Sequence, residues 1–150
     1  SKEIYRLPAY ANTSEILETE ITIKSGDYEL PAILSYPKNG SHFPAVVLVH
    51  GSGPNDKDES IGPNKIFKDL AYGLAAKGIA VLRYDKRTLT YNNEMKALLD
   101  ADKLTINEET IDDAVAAVKS LKSIVAVDSN KVFVAGHSLG AMVTPQIATA

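Results

Sequence analysis

The residues best arranged for chemistry are Gly136-His137-Ser138-Leu139-Gly140. Lys131-Val132-Phe133-Val134-Ala135 before them reads as a buried strand, and Ala141-Met142-Val143 after them reads as the opening of a helix. A serine between two glycines at such a junction sits on a turn so sharp that its hydroxyl stands clear at the tip. Any side chain at Gly136 or Gly140 would collide with the strand or helix alongside. The helix N-terminus adds N–H groups and partial positive charge, which suits a developing oxyanion. A serine hydroxyl becomes a useful nucleophile only when a base removes its proton, and that base is usually a histidine oriented by a carboxylate. The chemistry indicated is attack by Ser138 on an acyl carbonyl; the bland reading is a serine in an ordinary glycine-flanked turn.

A second segment, His50-Gly51-Ser52-Gly53-Pro54, directly follows the apolar run Ala45-Val46-Val47-Leu48-Val49. An oxyanion hole needs two donors about 3 Å from the charge. The Leu139 N–H is the first by position; this segment resembles the strand-then-His-Gly loop of the α/β-hydrolase superfamily, which implies that it supplies the second, with the Ser52 N–H favoured and Gly53 next. Read without that role, the loop is a simple turn.

Together these motifs resemble the α/β-hydrolase superfamily, in which a strand followed by His-Gly supplies one oxyanion donor. Gly62-Pro63-Asn64-Lys65 and Arg83-Tyr84-Asp85-Lys86-Arg87-Thr88 look like bacterial esterase-like members, the serine aminopeptidase-like or dienelactone-hydrolase-like group. The resemblance runs from about Glu15 to the last residue. One departure is Ala141, where the family often has a further glycine. The resemblance implies the order Ser…Asp/Glu…His, so the acid and the histidine are expected beyond residue 150. The chain is therefore expected to be the N-terminal part of a longer hydrolase, inactive by itself, with the C-terminal strands of the sheet elsewhere. Val132-Phe133-Val134 would then form an unpaired apolar edge.

The three histidines present are read as structural. His137 neighbours the nucleophile around the elbow and should point away from it. His50 ends a central strand, a position that braces the oxyanion loop in look-alike hydrolases, and His42 is expected on the surface. Asp85 is expected to pair with Lys86, Arg87 or nearby N–H groups. Glu108, Glu109, Asp112 and Asp113 most simply complement a helix dipole. No metal-ligand spacing is visible, and no cofactor is expected.

The bulk numbers set the bounds. With 150 residues the chain is one domain at most, and 45% hydrophobic with 23% charged residues is ordinary for a globular protein. Sixteen basic against nineteen acidic residues give a net charge of −3, with no basic run to suggest nucleic acid. The absence of cysteine excludes disulfides and a cysteine nucleophile. No apolar run approaches the ~20 residues of a bilayer span. A soluble protein is expected, cytoplasmic or secreted with its leader removed; the oligomeric state is not legible.

The elements that must carry these motifs follow from periodicity. Residues 1–13 read as an arm, and 14–150 as part of a single hydrolase domain. Leu17, Thr19, Ile21 and Ile23 alternate with Glu18, Glu20 and Thr22, and Ser25-Gly26-Asp27 turns the chain into a partner strand, Tyr28–Tyr36. Pro31 in that partner predicts an edge position or a bulge. Ile66, Phe67, Leu70, Ala71 and Leu74 predict a helix stopped by Gly78. Ile79–Tyr84 is the next strand. Residues 85–104 are long for a connection and form a possible flap, with a short helix over 93–100. Thr105-Ile106-Asn107-Glu108 is a capping-box pattern before the apolar face Ile111, Ala114, Val115, Val118 and Leu121. Asp128-Ser129-Asn130 is read as a turn, and Pro145 as a break in the last helix. Strands alternating with helices predict a three-layer α/β sandwich, its mostly parallel sheet edged by an antiparallel hairpin.

The activity expected of the complete protein is hydrolysis of a small-molecule carboxylic ester through an acyl-enzyme at Ser138. Thioesters or short peptides are alternatives, as is a binding protein that kept the fold and lost the chemistry.

Overall fold

The computed structural model describes residues 3–150, so residues 1 and 2 of the expected arm lie outside the described residues. In chain order the elements begin with β1 (Ile16–Ser25), β2 (Tyr28–Pro37), β3 (Phe43–Val49), the short β4 (Ser60–Ile61) and β5 (Asn64–Lys65), and α1 (Ile66–Ala75). They continue with β6 (Ala80–Tyr84), α2 (Arg87–Thr90), α3 (Asn92–Asp100), α4 (Asp112–Lys122), β7 (Val127–Gly136) and α5 (Leu139–Ala148).

The main sheet has the order β1-β2-β6-β3-β7. β2 is antiparallel to both neighbours, whereas β3 is parallel to β6 and to β7. Only β2 therefore runs against the rest, which matches a mostly parallel sheet with an antiparallel hairpin at one edge. Side-chain alternation on β3 divides the core between two layers. Ala45, Val47 and Val49 join Ala114, Ala117 and Leu121 of α4 and Val143 and Ile147 of α5 on one face. Val46 and Leu48 pack with Phe67 and Ala71 of α1 on the other. The Val/Ala/Leu run of β3 is what a strand covered on both faces requires.

Two local expectations are corrected. Pro31 lies in an interior strand, not at an edge or bulge. Its carbonyl accepts the Asp85 N–H at 2.9 Å, just past the last β2–β6 pair, Ala32↔Tyr84. The missing N–H therefore points where the ladder has already ended. Asp128-Ser129-Asn130 is strand rather than turn: β7 starts at Val127, pairs it with Phe43, and shifts register before Ala45↔Val132. Pro145, with no N–H to give, interrupts the hydrogen-bond ladder of α5 as expected, and the helix continues to Ala148.

The 85–104 segment carries two helices, α2 and α3, instead of one. Arg87 roots it in the body. Its guanidinium donates to both carboxylate oxygens of Asp113, at 2.6 and 3.1 Å, and both residues are buried. Planar, bidentate geometry is the form in which such a pair holds best. Asp113 thus lies in the first turn of α4, as its helix-dipole reading requires, and also forms an ion pair that the sequence did not show.

Candidate active site

The turn between β7 and α5 is as sharp as the glycine spacing demands. Ser138 has φ 54° and ψ −117°, a conformation that L side chains rarely adopt. Such a residue persists only where its surroundings enforce it, and the enforcement here is backbone contact. A Cβ on Gly136 would lie 2.3 Å from the Gly140 carbonyl carbon, and one on Gly140 would lie 2.2 Å from the Val49 carbonyl oxygen. Strand, turn and helix therefore touch main chain to main chain. The His137 N–H donates to the Val49 carbonyl at 3.0 Å, and the Gly140 N–H to that of His137 at 3.0 Å. Ser138 is left exposed at the tip, and Leu139 opens α5, so its N–H is one of the donors that a helix cannot satisfy internally.

The second loop leaves the same end of the sheet. Val49 pairs with Gly136, so His50-Gly51-Ser52 and the elbow emerge side by side from adjacent parallel strands. A Cβ on Gly51 would come within 3.3 Å of Ser138 Cβ. Two of the loop's N–H groups are occupied: Gly51 donates to Glu59 Oε1 at 3.1 Å and Gly53 to Glu109 Oε1 at 3.1 Å. The Ser52 N–H belongs to neither pairing. This distinguishes Ser52 from Gly53, the next choice in the sequence.

Three charged residues fix this loop, and none was given that role from the sequence. Buried Glu59 lies in the left-handed region, φ 47°, and its Oε1 also sits 2.7 Å from His137 Nδ1. One carboxylate oxygen thus joins the loop after β3 to the elbow. Glu109 receives the Gly53 N–H, the Ser52 hydroxyl at 3.3 Å and the Lys86 ammonium at 2.9 Å. It lies in a first helical turn as expected, and this junction is a further role. Lys86, itself buried, also donates to the Gly51 carbonyl at 2.8 Å. Burial pushes the lysine below its usual range while Glu109 opposes that shift. For Glu109 burial acts upward, but Lys86 and the Gly53 N–H outweigh it and hold the carboxyl low. Sequence offered no periodicity for these residues, because polar loops carry none. Asp85 bonds neither Lys86 nor Arg87. It accepts the Lys57 N–H at 2.8 Å and pairs with its ammonium at 3.2 Å.

The histidines separate cleanly. His42 precedes β3, whose seven residues put it about 20 Å from the elbow end at ~3.3 Å per residue. His50 is buried between Phe67 and Tyr84, and burial, reinforced by the Lys86 charge, lowers its pKa to about 4. His137 is committed to Glu59. Among the described residues no group of three or more His, Cys, Asp or Glu could hold a metal ion, and no helix is long and apolar enough to cross a membrane.

No protein-family model matches the chain. Over 148 residues it is 52% identical to Esterase EstD of Thermotoga maritima, a match covering 99% of this chain and 33% of that protein. The chain thus spans about a third of the length of the curated relative it matches. Among solved structures, brefeldin A esterase, a bacterial homologue of human hormone-sensitive lipase, aligns with TM-score 0.69 at 21% identity, over 99% of this chain and 39% of that one. Dienelactone hydrolase from Anabaena variabilis aligns with TM-score 0.68 at 21% identity, over 89% and 57%. The fold is that of the α/β-hydrolases. Within the α/β-hydrolase frame both motif-bearing loops sit at the carboxyl ends of neighbouring strands, where ligands of open α/β sheets bind.

Proposed function

We propose that this chain carries the nucleophile and oxyanion hole of a serine hydrolase that cleaves carboxylic esters through an acyl-enzyme. The observation that carries the reading is the strained Ser138 at the end of β7, beside an oxyanion loop whose outer N–H groups are already engaged. Identity to Esterase EstD supports it.

Ser138 Oγ attacks the carbonyl carbon as its proton passes to a base. The carbonyl oxygen becomes an oxyanion between the Leu139 and Ser52 N–H groups. Collapse of the tetrahedral adduct expels the alcohol, which takes the proton back from the base. Water then repeats the sequence on the acyl-serine, releasing the acid and free Ser138. His42 and His50 are not placed to be that base, and Glu59 holds the Nδ1 of His137 on the side of the oxyanion loop, so we assign base and acid to residues outside these 150. Esters are favoured over thioesters and peptides because the 52% identical relative is named an esterase.

The test is ester turnover by the complete protein. Ser138→Ala should lower kcat by about 10⁴-fold or more while leaving the unfolding transition in place. Turnover retained in that variant overturns the assignment.

A further inference from the structure

Between the oxyanion loop and the α2–α3 segment lies a cavity of about 420 Å³, with Ser52, Gly53, Pro54, Met95, Leu99 and Leu104 in its lining. It shares Ser52 and Gly53 with the loop that faces Ser138. The volume falls within the ~300–1,000 Å³ of small-molecule sites. Most of its polar groups are consumed internally: Glu109 is tied to Lys86 and the Gly53 N–H, the Thr88 hydroxyl donates to the Gly53 carbonyl at 3.1 Å, and the Asn92 amide donates to the Thr88 carbonyl at 3.0 Å. Exposed Lys96 also stands in the lining, and the rest of the wall that meets a ligand is apolar. Met95 is only 2% exposed, although the rest of α3 is largely exposed, and Leu99, one turn on, stands 60% exposed. A leucine so exposed, beside a lined cavity, gains burial when a chain enters. A larger cleft of about 650 Å³ on the β1–β2 hairpin is lined by Glu20, Glu29 and Lys57 and shares no residue with either loop. It sets these charges beside Ile21, Pro31 and Ile33.

We propose that the α3 cavity receives the acyl half of the substrate, an uncharged, unbranched chain of several methylenes. The carbonyl sits at the Ser52 N–H and the chain runs over Pro54 towards Met95 and Leu99. This rests on Ser138 being the nucleophile. The acyl group is the half that stays bonded to the serine, so a pocket opening from the oxyanion loop holds it through both halves of the reaction. Segment 85–104 is then the specificity wall of the site rather than a surface excursion.

The experiment measures kcat/KM of the complete protein on p-nitrophenyl acetate, butyrate, hexanoate and octanoate. Values should rise up to about fourfold per added methylene until the cavity is filled. Leu99→Trp and Leu99→Asp, one filling the mouth and one charging it, should each lower the octanoate-to-acetate ratio at least tenfold. Val125→Trp, at a site 91% exposed just before β7, should leave the ratio unchanged. A ratio unmoved by both Leu99 variants overturns the cavity assignment. So does a parallel series of alkyl acetates in which the Leu99 effect follows the alcohol chain instead. Absence of turnover across every ester removes the nucleophile reading itself, a failure distinct from turnover with an unaltered ratio.

Discussion

At the scale of single residues, the site is made of main-chain contacts that exclude a methyl group. Gly140 lies against the carbonyl oxygens of Val49 and His50, at 2.2 and 2.6 Å from where a Cβ would stand. These are backbone atoms of a central strand and cannot swing aside as a lysine tip could. Gly140→Ala should therefore cost about 3 kcal/mol in urea unfolding and abolish acylation. Wild-type stability in that variant would show that the elbow is looser than described. Glycines of this kind are readable in a sequence, because few side chains but none at all satisfy such an approach. The carboxylates that hold the loop are not readable in the same way. Glu109 has the same letters around it whether it faces a helix dipole or a buried lysine, and only the fold brings Lys86 to it.

At the scale of elements, two loops from adjacent strands must keep a fixed relation if Ser52 and Leu139 are to hold one oxygen. Glu59 supplies it by bonding Gly51 on one loop and lying against His137 on the other. Glu59→Ala should lower kcat/KM about tenfold or more, mostly in kcat, since the oxyanion is engaged more strongly than the ground-state carbonyl. Glu59→Gln keeps an oxygen for the Gly51 N–H and should recover much of the loss. Equal losses in the two variants would mean that the charge, and not the tether, matters. Element positions were largely legible in advance. The alternation in 17–23, the buried runs at 45–49 and 79–84, and the face through Ala114 and Leu121 all lie where periodicity put them. The misses share a cause. Local propensity misplaces Pro31 and Asp128–Asn130, and each is overridden by the sheet in which it is embedded. In 85–104 one helix was legible from Met95 and Leu98-Leu99, while α2 is too short to show a period.

At the scale of the whole molecule, pH stability follows from burial of one imidazole. The His50 pKa is lowered to about 4 from the ordinary 6.5. The unfolded chain binds a proton below about pH 6.5 that the folded one refuses until about 4. Its contribution is therefore fully present above pH 6.5 and lost as pH falls towards 4, an effect of about 3 kcal/mol. Urea unfolding at pH 7.5 and 4.5 should show that difference, and His50→Gln should flatten it. An identical slope in the variant would place the titration elsewhere. Among the described residues β7 is the end strand, and Phe133 on the α1 face is 61% exposed. All of the machinery converges on one hydroxyl, and the direct test is covalent. The complete protein is treated with a fluorophosphonate, digested, and the modified residue located by mass spectrometry. The account predicts a single adduct on Ser138, absent from Ser138→Ala. An adduct on another residue, or none on a folded protein, would contradict it and leave the α/β-hydrolase fold serving as a binding scaffold.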